Sequence, residues 1–158
     1  MLTIILMDSY KVNESFGFLL NRLATAMKWS FEERFKEYGL TGPQFGFMAR
    51  LFEKDSQPLS NIGRSMYCDK PTITGIANRL ENKGLISKVR DEGDRRVTKA
   101  VLTKEGKALK KALCSIAIDL NADVLKGFTE EEVKVFKSML RMSLDNVLKT
   151  IEGGVINV

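Results

Sequence analysis

Apolar residues recur every three or four positions through residues 13 to 38, the spacing that places them on one face of an α-helix. At 3.6 residues per turn, this stretch predicts a first helix of about seven turns, which is long for a small domain. The predicted apolar face consists of Phe16, Leu19, Leu20, Leu23, Met27, Phe31, Phe35 and Tyr38.

Two shorter helical patterns follow. The segment LTGPQFGFMARLF predicts a second helix, because Thr41 and Gln44 have capping-box spacing and Pro43 suits a first turn. The segment LSNIGRSMY predicts a third helix with Ser60 as its N-cap. Residues 55–58 between them are expected to end the second helix without forming a strand.

The segment CDKPTITGIANRLENKGLI predicts a fourth helix with one narrow apolar stripe. Asp69 is placed to cap its N-terminus, Pro71 lies within its first turn, and Gly84 ends it. Two short helices joined by a tight turn form a helix-turn-helix. The residues that point to the same side at 100° per residue are Ile73, Ile76, Ala77 and Leu80.

Apolar and polar residues alternate in LISKVR and RVTKAVLT, and DEGD between them predicts the turn of a β-hairpin, the only β structure expected. Thr103 is placed to cap a fifth helix that continues to Val124. Thr129 and Glu132 have capping-box spacing at the start of a sixth helix, which is expected to close at Gly153-Gly154. The pattern therefore predicts one mainly α-helical domain with a two-stranded wing.

The composition agrees with one globular domain. The chain has 158 residues, of which 44% are hydrophobic and 28% charged, which excludes disorder as the default. It has no histidine and two distant cysteines, Cys68 and Cys114, so no metal site or other cofactor is predicted and a cytoplasmic setting is expected. The apolar opening MLTIILM is too short to span a bilayer and is predicted to be a packed N-terminal arm.

The net charge of +5 is concentrated in one quarter of the chain. Residues 60–100 contain nine basic and five acidic side chains, which gives this segment a net charge of +4. A focused basic segment favours a polyanionic partner, whereas an ordinary solvated face explains the charge alone equally well.

The outward face of the fourth helix is small and polar at its beginning, as entry into the major groove of DNA requires. Threonine methyls suit thymine methyls, asparagine and arginine suit adenine and guanine edges, and a lysine at a helix N-terminus suits phosphate. An ordinary surface helix is the alternative, but threonine and glycine are poor helix formers. The predicted DNA-contacting residues, which surround Gly75, are Lys70, Pro71, Thr72, Thr74, Asn78 and Arg79.

The hairpin tip RDEGDRR follows this helix directly. Its guanidinium groups suit the narrow, electronegative minor groove, and Asp94 is placed to hold one of them extended through a bidentate pair. Such a run is usually a solvated turn, but its position after a helix-turn-helix favours a DNA-binding wing. We therefore add Asp94, Arg95 and Arg96 to the predicted DNA-contacting residues.

The order of LTGPQF, LSNIGRSM, KPTITGIANRLENKGLI and DEGDRRVTKAVLT resembles the winged helix-turn-helix of the MarR family of transcription regulators. The resemblance covers nearly the whole chain. It implies a single domain, residues 1–158, in which residues 40–103 form the winged helix-turn-helix DNA-binding region. Residues 1–38 and 104–154 would then be the dimerisation helices that flank it.

The same resemblance assigns roles to single residues. It implies that Thr72, Thr74 and Asn78 contact bases and that Arg96, supported by Asp94, is the wing arginine. Tyr67 stands where the family often has glycine. Either the turn geometry differs there, or a tyrosine adopts a left-handed conformation at some energetic cost.

A homodimer is expected on two grounds: the resemblance implies it, and the long apolar stripes exceed what a small winged-helix core can cover. The implied partner is a pseudo-palindromic operator in double-stranded DNA, and the implied function is a repressor released by a small aromatic effector. The alternatives are a winged-helix protein assembly module and a regulator that responds to oxidation of Cys68, although a buried, inert thiol explains Cys68 more simply. No catalytic constellation is recognisable, so the chain is not expected to be an enzyme.

Overall fold

The computed structural model describes residues 11–151, which are mainly α-helical. The predicted N-terminal arm MLTIILM and the predicted helix end at Gly153-Gly154 lie outside these residues. Short 3-10 turns at Val12–Glu14 and Lys36–Tyr38 flank the first helix. The helices are α1 (Phe16–Phe35), α2 (Gly42–Glu53), α3 (Leu59–Ser65), α4 (Lys70–Asn82), α5 (Lys104–Ala108), α6 (Lys110–Val124) and α7 (Glu130–Thr150). The strands are β1 (Gln57–Pro58), β2 (Ile86–Arg90) and β3 (Thr98–Leu102).

The chain divides into two compact units, one that extends to Leu120 and one that begins at Asn121. The first unit contains the helix-turn-helix, the three strands and the hydrophobic core. The second contains α7, which has no fully buried residue. No helix within residues 11–151 is long and apolar enough to cross a membrane.

Side-chain caps fix most helix starts as predicted. The Gln44 Oε1 atom accepts a hydrogen bond of 3.1 Å from the Thr41 N–H, and Thr103 Oγ1 accepts one of 3.0 Å from the Gly106 N–H. Glu132 likewise accepts from the Thr129 N–H at 2.8 Å. These caps satisfy N–H groups that have no partner inside the helix.

The predicted cap of α3 is wrong. The helix begins at Leu59, so Pro58 occupies the N-cap position and Ser60 lies exposed within the first turn. Pro58 belongs to β1, and its φ of −55° directs the chain into the helix before Ser60 is reached. Ile62 nevertheless faces the core and is completely buried.

The hairpin formed by β2 and β3 is confirmed, but the expectation that it is the only β structure is wrong. β1 pairs antiparallel with β3, which gives the sheet order β1-β3-β2. The hairpin register runs from Ile86 opposite Leu102 to Arg90 opposite Thr98. β1 has only two residues, and its proline is tolerated because the strand lies at the sheet edge.

The predicted fifth helix is interrupted at Leu109 and becomes α5 and α6. Hydrogen bonds still cross the interruption, because the Leu109 N–H donates to Glu105 O at 3.3 Å and the Leu113 N–H donates to Leu109 O at 3.0 Å. Leu113, which lies beyond the interruption, is completely buried.

One core lies beneath the helix-turn-helix and receives side chains from α1, α2, α3, α4, α6 and the hairpin. Its largest fully buried side chains are Phe35, Phe47, Met48, Leu51, Ile62, Leu80, Ile86 and Leu113. Phe31 stacks on Phe35 with ring centroids 3.8 Å apart, so α1 enters this core through its C-terminal turns. At the other end of α1, Phe16 and Leu19 remain exposed.

Candidate nucleic-acid interface

The start of α4 is fixed by Asp69, as predicted. Asp69 Oδ1 accepts a hydrogen bond of 2.8 Å from the Thr72 N–H, and hydrogen bonding by Thr72 holds the pKa of Asp69 below its usual value. Pro71 lies in the first turn, where no intrahelical partner is needed. The predicted inward stripe is confirmed, since Ile73, Ile76, Ala77 and Leu80 are buried.

The opposite face of α4 carries the predicted contact residues. Thr74 is half-buried, and its hydroxyl donates to Lys70 O at 2.7 Å, so its methyl is the group left for an apolar contact. A Cβ added to Gly75 would meet no atom within 4 Å, which marks open space beside it. The exposed residues of this face are Lys70, Pro71, Thr72, Asn78 and Arg79.

The turn before α4 contains the residue that departs from the family pattern. Tyr67 has φ of +51°, so a tyrosine does adopt the left-handed conformation here. Its N–H donates to Arg64 O at 3.2 Å, while the next residue, Cys68, donates its N–H to Gly63 O at 2.9 Å. The Tyr67 side chain remains 69% exposed, so packing offsets little of the backbone strain.

Asp91 organises the tip of the wing. Asp91 Oδ1 accepts hydrogen bonds of 3.0 Å from the N–H groups of both Gly93 and Asp94, and its second oxygen pairs with the Lys99 ammonium. The bond with Lys99 is the main reason that the pKa of Asp91 lies below its usual value. These bonds close the turn from which the following arginines project.

Arg96 is held by Asp94 in the bidentate arrangement predicted from the sequence. Arg96 Nε lies 3.1 Å from Asp94 Oδ1, and Nη2 lies 3.2 Å from Oδ2. The Arg96 side chain is nonetheless 92% exposed, and this pairing lowers the pKa of Asp94. The geometry presents a pre-extended guanidinium to solvent.

The other two arginines of the tip differ in their surroundings. Arg95 is exposed, and its backbone oxygen accepts from Arg90 Nη1 at 3.4 Å. Arg90 also donates to Thr98 Oγ1 at 3.1 Å, which ties the base of the tip across the hairpin.

Lys88 connects β2 to the outward face of α4. Its Nζ donates to Asn78 Oδ1 at 2.6 Å and lies 2.9 Å from Glu81 Oε2, while its own N–H donates to Glu81 Oε1 at 3.1 Å. The hydrogen bond from Lys88 is the largest contribution that lowers the pKa of Glu81. The wing and the helix are therefore joined through charged and polar side chains.

A cleft of about 700 Å³ lies between α3, α4 and the hairpin. Its apolar lining residues include Leu59, Ile73 and Val97. Cys68 also lines it, half-buried, with its thiol donating to Met66 O at 3.4 Å. The charged residues that line the cleft are all basic: Arg64, Lys70, Lys88, Arg90 and Arg96.

Comparison with known proteins agrees with this geometry. The family model described as the MarR family matches residues 40–98, the segment that carries the helix-turn-helix and the wing. This segment is therefore a MarR-type winged helix-turn-helix. The organic hydroperoxide resistance transcriptional regulator of Bacillus subtilis is 28% identical over 143 residues, which cover 89% of this chain and 94% of that protein.

Two solved structures share the fold over most of their length. The PcaV regulator of Streptomyces coelicolor, solved with its natural ligand, superimposes with a TM-score of 0.79 at 26% identity, covering 87% of this chain and 96% of that one. BpsR of Bordetella bronchiseptica gives a TM-score of 0.80 at 25% identity, covering 87% and 98%. PcaV is a transcriptional regulator and BpsR binds DNA, which agrees with a DNA-binding, winged-helix transcription regulator.

The predicted contact residues lie on two neighbouring elements of the MarR-type segment, six on α4 and three at the wing tip. Sequence reasoning missed Lys88 as a partner of Asn78 and Asp91 as the organiser of the tip. The Asp-x-Gly spacing in DEGD signals the Asp91 turn, since aspartate side chains accept from N–H groups two residues onward. The partnership of Lys88 and Asn78 depends on the packing of β2 against α4.

Proposed function

We propose that this protein is a cytoplasmic homodimer that binds a pseudo-palindromic operator in double-stranded DNA and represses transcription until a small aromatic effector releases it. In this proposal α4 enters the major groove and the wing tip enters the adjacent minor groove. The observation that carries it is the exposed, pre-extended Arg96 at the wing, beside a helix whose outward face is small and polar.

The first turns of α4 support entry into the major groove. The face around Gly75 is open, so the helix backbone can approach the bases closely. Thr72 and Thr74 offer methyl groups to thymine, and Asn78 and Arg79 lie where longer reach is needed. Lys70, at the positive end of the helix dipole, suits a phosphate.

The Asp94–Arg96 pair supports insertion of the wing into the minor groove. A guanidinium already held extended loses little side-chain freedom on binding, which lowers the entropic cost of the contact. The narrow minor groove of A·T-rich DNA has an enhanced negative potential that attracts arginine. The net charge of +4 in residues 60–100 adds a long-range attraction to the same surface.

Exposed apolar side chains support the homodimer. On α1, Phe16, Leu19 and Trp29 are each more than half exposed. The exposed apolar residues on α7 are Val135, Met139, Met142, Leu144 and Val147. Because such stripes are costly in water, a second copy that covers them is the simplest partner, and we assign residues 1–38 and 104–154 to dimerisation around the region 40–103.

Release by a small molecule is proposed from two relatives. PcaV was solved with its natural ligand, and the regulation of DNA binding by BpsR involves 6-hydroxynicotinic acid. Aromatic acids of this kind are therefore the first compounds to test as effectors of the present protein.

Fluorescence anisotropy tests the DNA-binding proposal. The full chain is titrated onto its own upstream intergenic duplex and onto a scrambled duplex, across a salt series. We expect tight, saturable binding to the native duplex and a steep salt dependence, because lysine and arginine contacts release counterions. Equal, weak binding to both duplexes would contradict a specific operator next to the gene and favour the assembly-module alternative.

Arg96→Ala tests the wing, with Lys111→Ala as the control for loss of one exposed positive charge outside residues 60–100. Arg96→Ala should weaken operator binding about tenfold and reduce the salt slope by about one, as loss of one phosphate-region contact does. Lys111→Ala should change affinity much less. Equal effects of the two substitutions would mean that Arg96 acts only through net charge.

A further inference from the structure

The contact between Lys88 and Asn78 fixes the orientation of the Asn78 amide. An ammonium group has three N–H donors and no acceptor, so the atom 2.6 Å from Lys88 Nζ has to be the amide oxygen. The Asn78 NH₂ group therefore points away from Lys88, on the exposed face of α4.

Lys88 is itself held in place from two directions. Its ammonium lies 2.9 Å from Glu81 Oε2, and its backbone N–H donates to the other oxygen of Glu81 at 3.1 Å. The Lys88 side chain is only 27% exposed, and it lines the cleft between α4 and the hairpin. An anchored ammonium keeps one lone pair of the Asn78 oxygen bonded, and a positive charge beside it, when α4 approaches a partner.

We infer that Lys88 is a specificity-determining residue that makes Asn78 a hydrogen-bond donor toward DNA. The protein should therefore prefer guanine at the base that Asn78 contacts. The inference rests on the proposed function, because it concerns the same helix in the major groove. It identifies Lys88, outside the predicted contact residues, as the origin of the preference.

The preference follows from the donor and acceptor pattern of the base edges. A free asparagine amide pairs with adenine in a bidentate manner, since its oxygen accepts from N6 and its nitrogen donates to N7. Because Lys88 uses one of the two lone pairs of the Asn78 oxygen, the adenine N6 amino group could bond only to the second one, beside a positive charge that repels the N6 protons. Guanine presents two acceptors, O6 and N7, which match the Asn78 NH₂ group and the remaining proton of the Lys88 ammonium.

Selection of binding sites from a randomised duplex library tests the inference. Wild type, Asn78→Ala and Lys88→Met are each used to enrich DNA, and the bound pools are sequenced. The position whose preference disappears with Asn78→Ala is the one that Asn78 contacts. At that position wild type should favour guanine over adenine about tenfold, the size expected of one good base contact.

Lys88→Met keeps the aliphatic stem and removes the ammonium, so the Asn78 oxygen becomes available. Adenine should then equal or exceed guanine at that position, with the other positions unchanged. Lys88→Arg retains a donor-only cation and should keep guanine. Lys83→Met removes the same charge at the end of α4, where Lys83 is exposed, and should also keep guanine.

Each outcome separates the inference from the proposed function. A wild-type pool with no enriched sequence would overturn the proposed operator binding, and the inference with it. Enrichment by wild type with an unchanged guanine preference in Lys88→Met, or with adenine preferred by wild type, would overturn the inference alone. The same holds if Asn78→Ala alters no position. Thermal unfolding of each variant by circular dichroism verifies that the pools come from folded protein.

Discussion

Gly106 lies where the first turn of α5 meets the connection between α4 and β2. A Cβ added to Gly106 would overlap the carbonyl oxygen of Leu85, and it would lie 3.0 Å from the carbonyl carbon of the same residue. Leu85 O cannot move away freely, because it accepts a hydrogen bond of 3.1 Å from the Thr103 N–H. Gly106→Ala should therefore force the start of α5 away from the base of the wing.

The cost has two parts. Adding atoms to a packed site that cannot relax costs about 1–3 kcal/mol. Separation of the helix from the connection also breaks the hydrogen bond between the Thr103 N–H and Leu85 O, and the loss of this partly buried bond costs about 1–3 kcal/mol. Alanine recovers about 0.5–1 kcal/mol of the conformational entropy that glycine loses in a helix. The net loss in the free energy of unfolding should be about 3 kcal/mol.

Urea unfolding followed by circular dichroism at one protein concentration measures this loss. Gly75→Ala is the matched control, because a Cβ added at that position in α4 meets no atom within 4 Å. It should raise the free energy of unfolding by about 0.5–1 kcal/mol through helix propensity. Equal midpoints for Gly106→Ala and wild type, or shifts of the same sign in both variants, would refute the account of α5 packing.

Three further predictions concern single residues. Tyr67→Gly should stabilise the fold by about 1 kcal/mol, because it relieves a left-handed backbone whose side chain packs little; a lower urea midpoint would contradict this. Asp55→Asn should destabilise the protein at neutral pH, and the difference should begin to shrink below about pH 4 and disappear once the pH lies below the lowered pKa of Asp55. Burial raises the pKa of Asp55, but hydrogen bonds from the Leu102 N–H and Lys107 lower it by a larger amount, so the net shift is downward. The stabilisation by the Asp55 charge is therefore complete above the ordinary pKa and is lost as the pH falls through the lowered one. A difference in stability that does not vary with pH would argue against these bonds. Peroxide should release neither wild type nor Cys68→Ser from DNA, since the half-buried thiol already donates to Met66 O; release of wild type alone would give Cys68 a redox role.

The helix-turn-helix and the wing could be predicted because their signals are local. Asp69, Thr103 and Thr129 cap the helices that follow them, and alternation over five residues identifies each strand of the hairpin. Asp94 and Arg96 are two residues apart along the chain, so their bidentate pair could also be predicted from the local sequence.

The structure differs from the sequence-based predictions where segments distant along the chain contact each other. β1 has two residues, too few for an alternating pattern, and it exists because β3 supplies its hydrogen-bonding partner. That pairing also moves the start of α3 to Leu59, against the local preference for Ser60 as a cap. Lys88 and Asn78 are ten residues apart, and only the packing of the hairpin on α4 brings them together.

Dimethyl sulfate footprinting on a duplex obtained by site selection tests the central claim most directly. The reagent methylates guanine N7 in the major groove and adenine N3 in the minor groove, so one experiment reports on both. We predict two protected major-groove segments about 34 Å apart, flanked by minor-groove protection that Arg96→Ala loses while the major-groove protection remains. Protection confined to one groove, or identical footprints for wild type and Arg96→Ala, would contradict the assignment of α4 and the wing to adjacent grooves.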